Sequence, residues 1–209
     1  MLIKTLVVGQ NGTNCYIVTD ENSLNAAVID PGDESGTILD YLEHNRLRCT
    51  LIMLTHGHYD HTLAAATVSE ETGAPIYICE KDVNSEVPSP YFFAPGENTQ
   101  FFSEGDVLTV GELEFRIIET PGHSPGSVVI CCEDVLFVGD TLFRGTCGRT
   151  DLPGGDMKIL LRSLRRLAAM YDELEGSGAD LEVYPGHMEA TTISREMRFN
   201  QYVKLATGA

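Results

Sequence analysis

Apolar residues fall along this chain in two rhythms, one of period two and one of period three to four. Residues 2–8, 14–20 and 25–30 are rich in Val, Ile, Leu and Tyr and read as strands. Asp30-Pro31-Gly32 ends the third with turn chemistry. Residues 34–46 place Ile38, Leu39 and Leu42 at helical spacing, with Asn45 as a stop. Leu51-Ile52-Met53-Leu54 is a short buried strand that runs directly into Thr55-His56-Gly57-His58-Tyr59-Asp60-His61. A helix is predicted from Leu63 to Glu71, closed by Gly73, and Pro75 precedes a strand at 76–79. Pro88, Pro90 and Pro95 interrupt 86–100, which reads as a loop whose Tyr91, Phe92 and Phe93 either wall a pocket or pack the loop down. Strands resume at 107–110, 113–119, 127–132 and 135–138. A helix at 156–170 carries Leu160, Leu161, Leu164 and Leu167 on one face, and a strand at 181–184 and a helix at 191–204 complete the pattern. Strands and helices in this order predict a layered α/β, αββα architecture with helices outside two sheets, formed as one domain over residues 1–209.

Composition narrows the function more than the fold. With 209 residues the chain has enough core for one domain. Its longest apolar runs, Val128 to Cys132 and Val135 to Val138, are strand-length, far short of the roughly 18 residues of a membrane span. The first residues form no charged leader, long apolar segment and cleavage site, so the expected compartment is the cytoplasm. The six cysteines include no CxxC pair and read as small buried residues in a reducing compartment; Cys147, in a Gly-rich loop, is the exception worth following. A net charge of −17 repels polyanions and argues against a nucleic-acid partner. An anionic substrate would need a local cluster of cations, which a metal site supplies.

The histidines supply that site. His44 lies in an ordinary amphipathic helix and reads as a solvated surface residue. The other five fall in turns rich in Gly, Asp or Pro. His56, His58, Asp60 and His61 form an H-x-H-x-D-H string just past a buried strand. In an extended turn positions 56 and 58 point the same way. A helix starting after them presents Asp60 and His61 from its first turn, so one short segment can serve two metals. Imidazole and carboxylate suit zinc, and also iron or manganese. His123 sits in Pro121-Gly122-His123-Ser124-Pro125-Gly126, Asp140 in Gly139-Asp140-Thr141, and His187 in Pro185-Gly186-His187, each at the end of an apolar strand. Ends of neighbouring strands on one sheet edge are where α/β sites assemble.

In order and spacing, THGHYDH, TPGHSPGS, GDTLF and YPGHMEATTI resemble the metal motifs of the metallo-β-lactamase superfamily over nearly the whole chain. GDTLFRGTCGRTDLPGGD and the TNCYIV strand look more narrowly like the compact glyoxalase II-like hydrolases. The resemblance implies a four-layer αββα fold with two mixed sheets and two divalent ions, zinc being the first expectation. One ion would take His56, His58 and His123, the other Asp60, His61 and His187, with Asp140 bridging them. Asp30, in the VIDPG turn, matches a position that braces such sites.

The implied chemistry is attack of a metal-bridging hydroxide on the carbonyl of a small-molecule thioester such as S-D-lactoylglutathione, with Asp60 orienting the hydroxide. In keeping with this, no GxSxG motif appears. Arg149 occupies the place of a basic residue that grips the glutathione carboxylate in longer members, and Cys147 lies in the same loop. Two departures stand out: the chain ends soon after its last helix, without the longer members' basic helical extension, and Asp151 stands where they carry a tyrosine. Rival readings within the fold are a mononuclear-iron persulfide dioxygenase and a lactonase or β-lactamase. Oligomeric state is left open.

Overall fold

The computed structural model describes residues 1–83, 92–172 and 180–208. Strands β1 (Leu2–Val8), β2 (Thr13–Thr19), β3 (Asn25–Ile29), β4 (Arg48–Met53), β5 (Ile76–Cys79) and β6 (Thr99–Phe102) follow one another across a first six-stranded sheet. Its β1–β2 and β2–β3 pairs are antiparallel; β3 to β6 run parallel. The second sheet uses β7 (Val107–Val110), β8 (Leu113–Glu119), β9 (Val128–Cys132), β10 (Val135–Gly139), β13 (Glu182–Pro185) and β14 (Thr191–Thr192), with β10 parallel to β13 and the other pairs antiparallel. A small hairpin, β11 (Leu142–Phe143) with β12 (Thr146–Cys147), stands apart. Helices α1 (Ser35–His44), α2 (Tyr59–Thr62) and α3 (Ala65–Thr72) belong to the first half, and α4 (Met157–Asp172), α5 (Ile193–Phe199) and α6 (Gln201–Thr207) to the second.

Every residue of β2 is buried, and its period-two alternation serves two cores at once. Cys15 and Ile17 face α1 and α3, joining Val28, Ile38, Leu42, Ile52 and Val68. Tyr16 and Val18 face the other sheet, where they meet Ile29, Met53, Phe115, Ile117, Ile130 and Phe137. On the far side, Leu160, Leu164 and Leu167 of α4 pack with Val203 and Ala206 of α6 onto Val129, Leu136, Val138 and Val183. The result is helices, sheet, sheet, helices, as the pattern predicts. A fully buried Leu, Ile or Phe contributes about 1.5–3 kcal/mol through burial, so the inter-sheet layer anchors both halves.

Three features depart from the sequence reading. Residues 99–102, at the end of the predicted loop, form β6, an edge strand paired in parallel with β5. Thr99 and Gln100 gave it too little apolar character to be seen. Pro88, Pro90 and Tyr91 lie outside the described residues, while Phe93 is buried in the first core and Phe92 stacks on His58. The last predicted helix is broken at Asn200, whose Oδ1 accepts from Tyr202 N and Val203 N to cap α6 while its Nδ2 donates to the carbonyls of Phe143 and Thr146. Thirdly, the site is not confined to one sheet: His123, Asp140 and His187 follow β8, β10 and β13 of the second sheet, as expected, but His56, His58 and His61 follow β4 of the first. All six cysteines are free thiols, and all but Cys131 are buried. Among the described residues, no helix is long and apolar enough to cross a membrane.

Candidate metal centre

The site begins where β3 and β4 stop side by side. Asp30 follows β3 in a left-handed conformation (φ 51°), unusual for a residue with a side chain. This turn aims its carboxylate at the next loop. There it accepts from Thr55 N (2.7 Å) and Thr55 Oγ1 (2.6 Å) and faces His61 Nδ1 at 3.0 Å. Thr55 Oγ1 in turn lies 3.1 Å from His56 Nδ1. Asp30 therefore orients two imidazoles through their outer nitrogens and leaves the inner ones for a ligand.

A second buried carboxylate escaped the sequence reading. Asp82, in the short turn after β5, is fully buried. It accepts from Gly57 N (2.9 Å), Ser124 Oγ (2.7 Å) and Gly126 N (2.5 Å), and so ties the His56–His58 loop of one sheet to the His123 loop of the other. In the sequence it is one more acidic residue in a charged stretch, with no motif around it. Asn14 and Tyr16 were also passed over as ordinary strand residues. Asn14 Nδ2 donates to the carbonyls of Pro185 and Met188, and Tyr16 OH donates to Pro185 O, so β2 holds the His187 turn in place.

The structure brings His56, His58 and His123 together with ligand atoms all within 4.8 Å of one another, and likewise Asp60, His61 and His187. His58 Nδ1 lies 2.9 Å from His123 Nε2, and His61 Nε2 lies 3.3 Å from His187 Nε2. Asp140 stands between the sets. Its Oδ1 is 3.4 Å from His61 Nε2, and its Oδ2 is 3.6 Å from His123 Nε2 and 3.7 Å from His187 Nε2. His187 Nε2 also approaches Asp60 Oδ2 at 3.5 Å. Gly186 makes this packing possible: a Cβ there would sit 2.3 Å from Asp140 Oδ1 and 2.6 Å from His61 Cε1.

Protonation separates His56 and His58 from His61 and His187. Burial, reinforced by neighbouring imidazoles, drives His56 well below its ordinary value and His58 down to about 4, so both are neutral with free lone pairs. For His61, burial is outweighed by the Asp140 and Asp30 carboxylates, and for His187 by Asp60 and Asp140; both are raised. Asp60 and Asp140 resist burial and stay low because those imidazoles face them. Among the described residues, four buried side-chain atoms make no hydrogen bond, Thr13 Oγ1, Thr50 Oγ1, His56 Nε2 and Asp140 Oδ1, and the last two lie at this site. A buried acceptor with no partner is costly. Inward-facing lone pairs on imidazole and carboxylate, unsatisfied by the protein, fit divalent cations.

The site opens into a cavity of about 710 Å³ lined by His58, Asp60, His123, Asp140 and His187 at its base, with Asn11, Tyr59, Phe143, Leu152 and Met188 above them. Cys147 and Arg149 also line it. Cys147 is 9% exposed, and burial pushes its thiol up to about 11. Arg149 contributes its carbonyl to His123 Nδ1 (2.7 Å), while its guanidinium makes a two-pronged pair with Asp151, Nε to Oδ1 and Nη2 to Oδ2, both at 2.7 Å. His44 is exposed and outside the site, its Nδ1 against Asp40 O.

The family model described as "Metallo-beta-lactamase superfamily" matches residues 8–187. "Hydroxyacylglutathione hydrolase GloC" of Haemophilus influenzae is 32% identical, the match covering 97% of this chain and 98% of that one. Among solved structures, "BLEG-1 B3 metallo-beta-lactamase" is similar with a TM-score of 0.81 and 31% identity, over 97% of this chain and 99% of that one. "TTHA1623 in a di-iron-bound form" is similar with a TM-score of 0.77 and 32% identity, over 95% and 99%.

Proposed function

This chain belongs to the metallo-beta-lactamase superfamily, and from that premise we propose that it is a two-metal thioester hydrolase acting on S-2-hydroxyacylglutathione-like substrates. The observation that carries the reading is the convergence of two ligand sets on Asp140 at the floor of one open cavity. The full-length similarity to the Haemophilus influenzae hydroxyacylglutathione hydrolase supports the thioester class. His56, His58 and His123 would hold one ion, Asp60, His61 and His187 the other, and Asp140 would face both. Zinc is the first choice for this donor set, and the similarity to a protein in a di-iron-bound form keeps iron in view. The ions would supply Lewis-acid polarisation of the scissile carbonyl and lower the pKa of a water towards ~7.

The protein's own groups do the rest. Asp60 Oδ2 accepts from Asn11 Nδ2 at 3.0 Å, which aims the carboxylate into the cavity where it can receive a proton from water. Tyr59, Phe143, Leu152 and Met188 offer apolar surface to the substrate beside the base. Cys147 is not the nucleophile, because its raised pKa keeps it a thiol at neutral pH. Ser124 is not either: it is fully buried and its Oγ donates to Asp82.

The test is metal content by mass spectrometry on protein purified without added metal, followed by S-D-lactoylglutathione hydrolysis on the same sample. About two ions per chain with thioester cleavage is the expected result. A single iron without cleavage, and with oxygen uptake on glutathione persulfide, would transfer the site to dioxygenase chemistry.

A further inference from the structure

Six non-glycine residues among those described adopt the left-handed backbone region, Leu24, Asp30, Glu34, Arg46, Glu133 and Met188, and of these Met188 alone lines the cavity. At φ 70° a side chain costs conformational energy that glycine avoids. The turn is held in that shape by both sheets. Asn14 N donates to Gly186 O (2.8 Å), Gly186 N donates to Gly139 O (2.8 Å), and Asn14 Nδ2 donates to Met188 O (2.9 Å). The fold therefore imposes this conformation whatever residue stands at position 188. The core does not call for a methionine there either: Met188 is 59% exposed and gains little stabilisation from burial.

What Met188 does border is the substrate cavity. Arg144, next to Phe143, pairs with Glu189, next to Met188, and so draws the β11–β12 hairpin towards the His187 turn. The Phe143 ring stands edge-on to the His187 ring, their centroids 6.1 Å apart. Phe143, Leu152 and Met188 thus give an apolar wall to the cavity whose base holds Asp140 and His187.

We propose that Met188 is a specificity-determining residue: set in the cavity wall by a backbone conformation that suits glycine, it completes with Phe143 and Leu152 an apolar seat for the acyl group, so that the preferred substrates carry 2-hydroxyacyl groups larger and more apolar than lactoyl. This inference rests on the hydrolase reading above and names the acyl group that the reading leaves open. Glutathione is a polar, charged carrier, so an apolar wall beside the metal ligands matches the other side of the thioester bond. Strain kept at a substrate-facing position points to a use for the side chain that bears it. An unbranched thioether moulds itself to bound apolar groups and makes favourable contacts with aromatic rings.

S-D-lactoylglutathione and S-D-mandeloylglutathione provide the test, because they share the carrier and the 2-hydroxyl and differ by a methyl against a phenyl group. The readout is the ratio of kcat/KM for the mandeloyl over the lactoyl thioester, divided by the same ratio for alkaline hydrolysis in solution. It is measured on metal-loaded wild type, Met188→Gly and Met188→Leu, together with metal content and Tm. Wild type should give a ratio of about ten, the scale of a small apolar group accepted by a matching pocket. Met188→Gly should lower the ratio about tenfold, chiefly through a higher KM for the mandeloyl thioester, and Met188→Leu should restore most of it. The metal content of Met188→Gly should stay at the wild-type level and its Tm at or above the wild-type value, because glycine relieves the turn. A wild-type ratio below one overturns the proposal, as does a Met188→Gly variant that keeps the wild-type ratio or slows both thioesters equally. A lower Tm or a lost ion in Met188→Gly would make Met188 a brace of the His187 turn and overturn it too. If wild type cleaves neither thioester, the hydrolase reading itself fails and this inference falls with it.

Discussion

His56, His58 and His123 are 1%, 5% and 2% exposed, whereas in the other set His61 is fully buried but the side chains of Asp60 and His187 are 18% and 21% exposed. The first set is composed of imidazoles alone and is braced from outside by Thr55, by the Arg149 carbonyl and by Phe92 stacked on His58. The second contains a carboxylate, borders solvent and exchanges charge with Asp140 and Asp30. Two sets a few ångströms apart are thus built for different duties. The buried one would hold an ion in a preorganised frame, and the open one borders the cavity.

Substitution of one ligand in each set tests that division most directly. His58→Ala should lower kcat/KM by roughly 10³-fold and remove about one ion, with no recovery on adding metal. His187→Ala should cost less, roughly 10²-fold, and recover in part with added metal, because its ion is held by a more open shell. Metal analysis alongside hydrolysis checks both. Equal losses, with equal response to added metal, would break the comparison, and a His58→Ala variant with near-wild-type activity would sink the ligand assignment.

Gly186→Ala probes the joint between Asp140 and the open set. The new Cβ would meet Asp140 Oδ1 and His61 Cε1 below contact distance. Displacement of the Pro185–His187 turn should cost the second ion before the first, read as a drop from about two ions to one per chain. Retention of both ions with full activity would show that the turn gives way without disturbing its ligand.

The smallest effect lies outside the ligands. Glu196, fully buried in α5, accepts from Thr191 Oγ1 (2.6 Å), Gly145 N (2.7 Å) and Asn200 Nδ2 (2.9 Å), and pairs with Arg195. It thereby pins the β11–β12 hairpin that carries Phe143 and Cys147 into the cavity wall. Burial opposes its charge, but these hydrogen bonds outweigh burial and hold its pKa below the ordinary 4.5. A depressed carboxylate pKa stabilises the fold above the unfolded value and loses that stabilisation as pH falls through the folded one. Glu196→Gln should therefore lower stability by about 2 kcal/mol at neutral pH, a Tm drop of ~4–8 °C. The gap from wild type should close as the pH falls below 4.5. A gap that persists undiminished in acid would show that the charge of Glu196 is not what holds the hairpin.

The motifs that carry the candidate ligands were legible because each is local. THGHYDH packs several metal-binding side chains into one turn, and PGH and GD mark strand ends by their own turn chemistry. Asp30 was legible for the same reason, as the last residue before Pro31-Gly32. The αββα layering followed from period-two strands such as β2, whose alternate residues feed two cores. By contrast, Asp82, Asn14, Tyr16 and Glu196 each reach partners far along the chain, from 25 residues away for Asp82 to 174 for Asn14, which no local motif announces.

The chain's own order of residues decided which side chains can bind metal, which segments carry them and how strands and helices alternate, because these depend on turn chemistry and on the periodicity of burial. Tertiary structure alone decided that the candidate ligands come from the ends of two sheets and that Asp82 clamps the two histidine loops together. Those are distances between parts of the chain, and they arise only when apolar faces far apart in sequence are driven into one core.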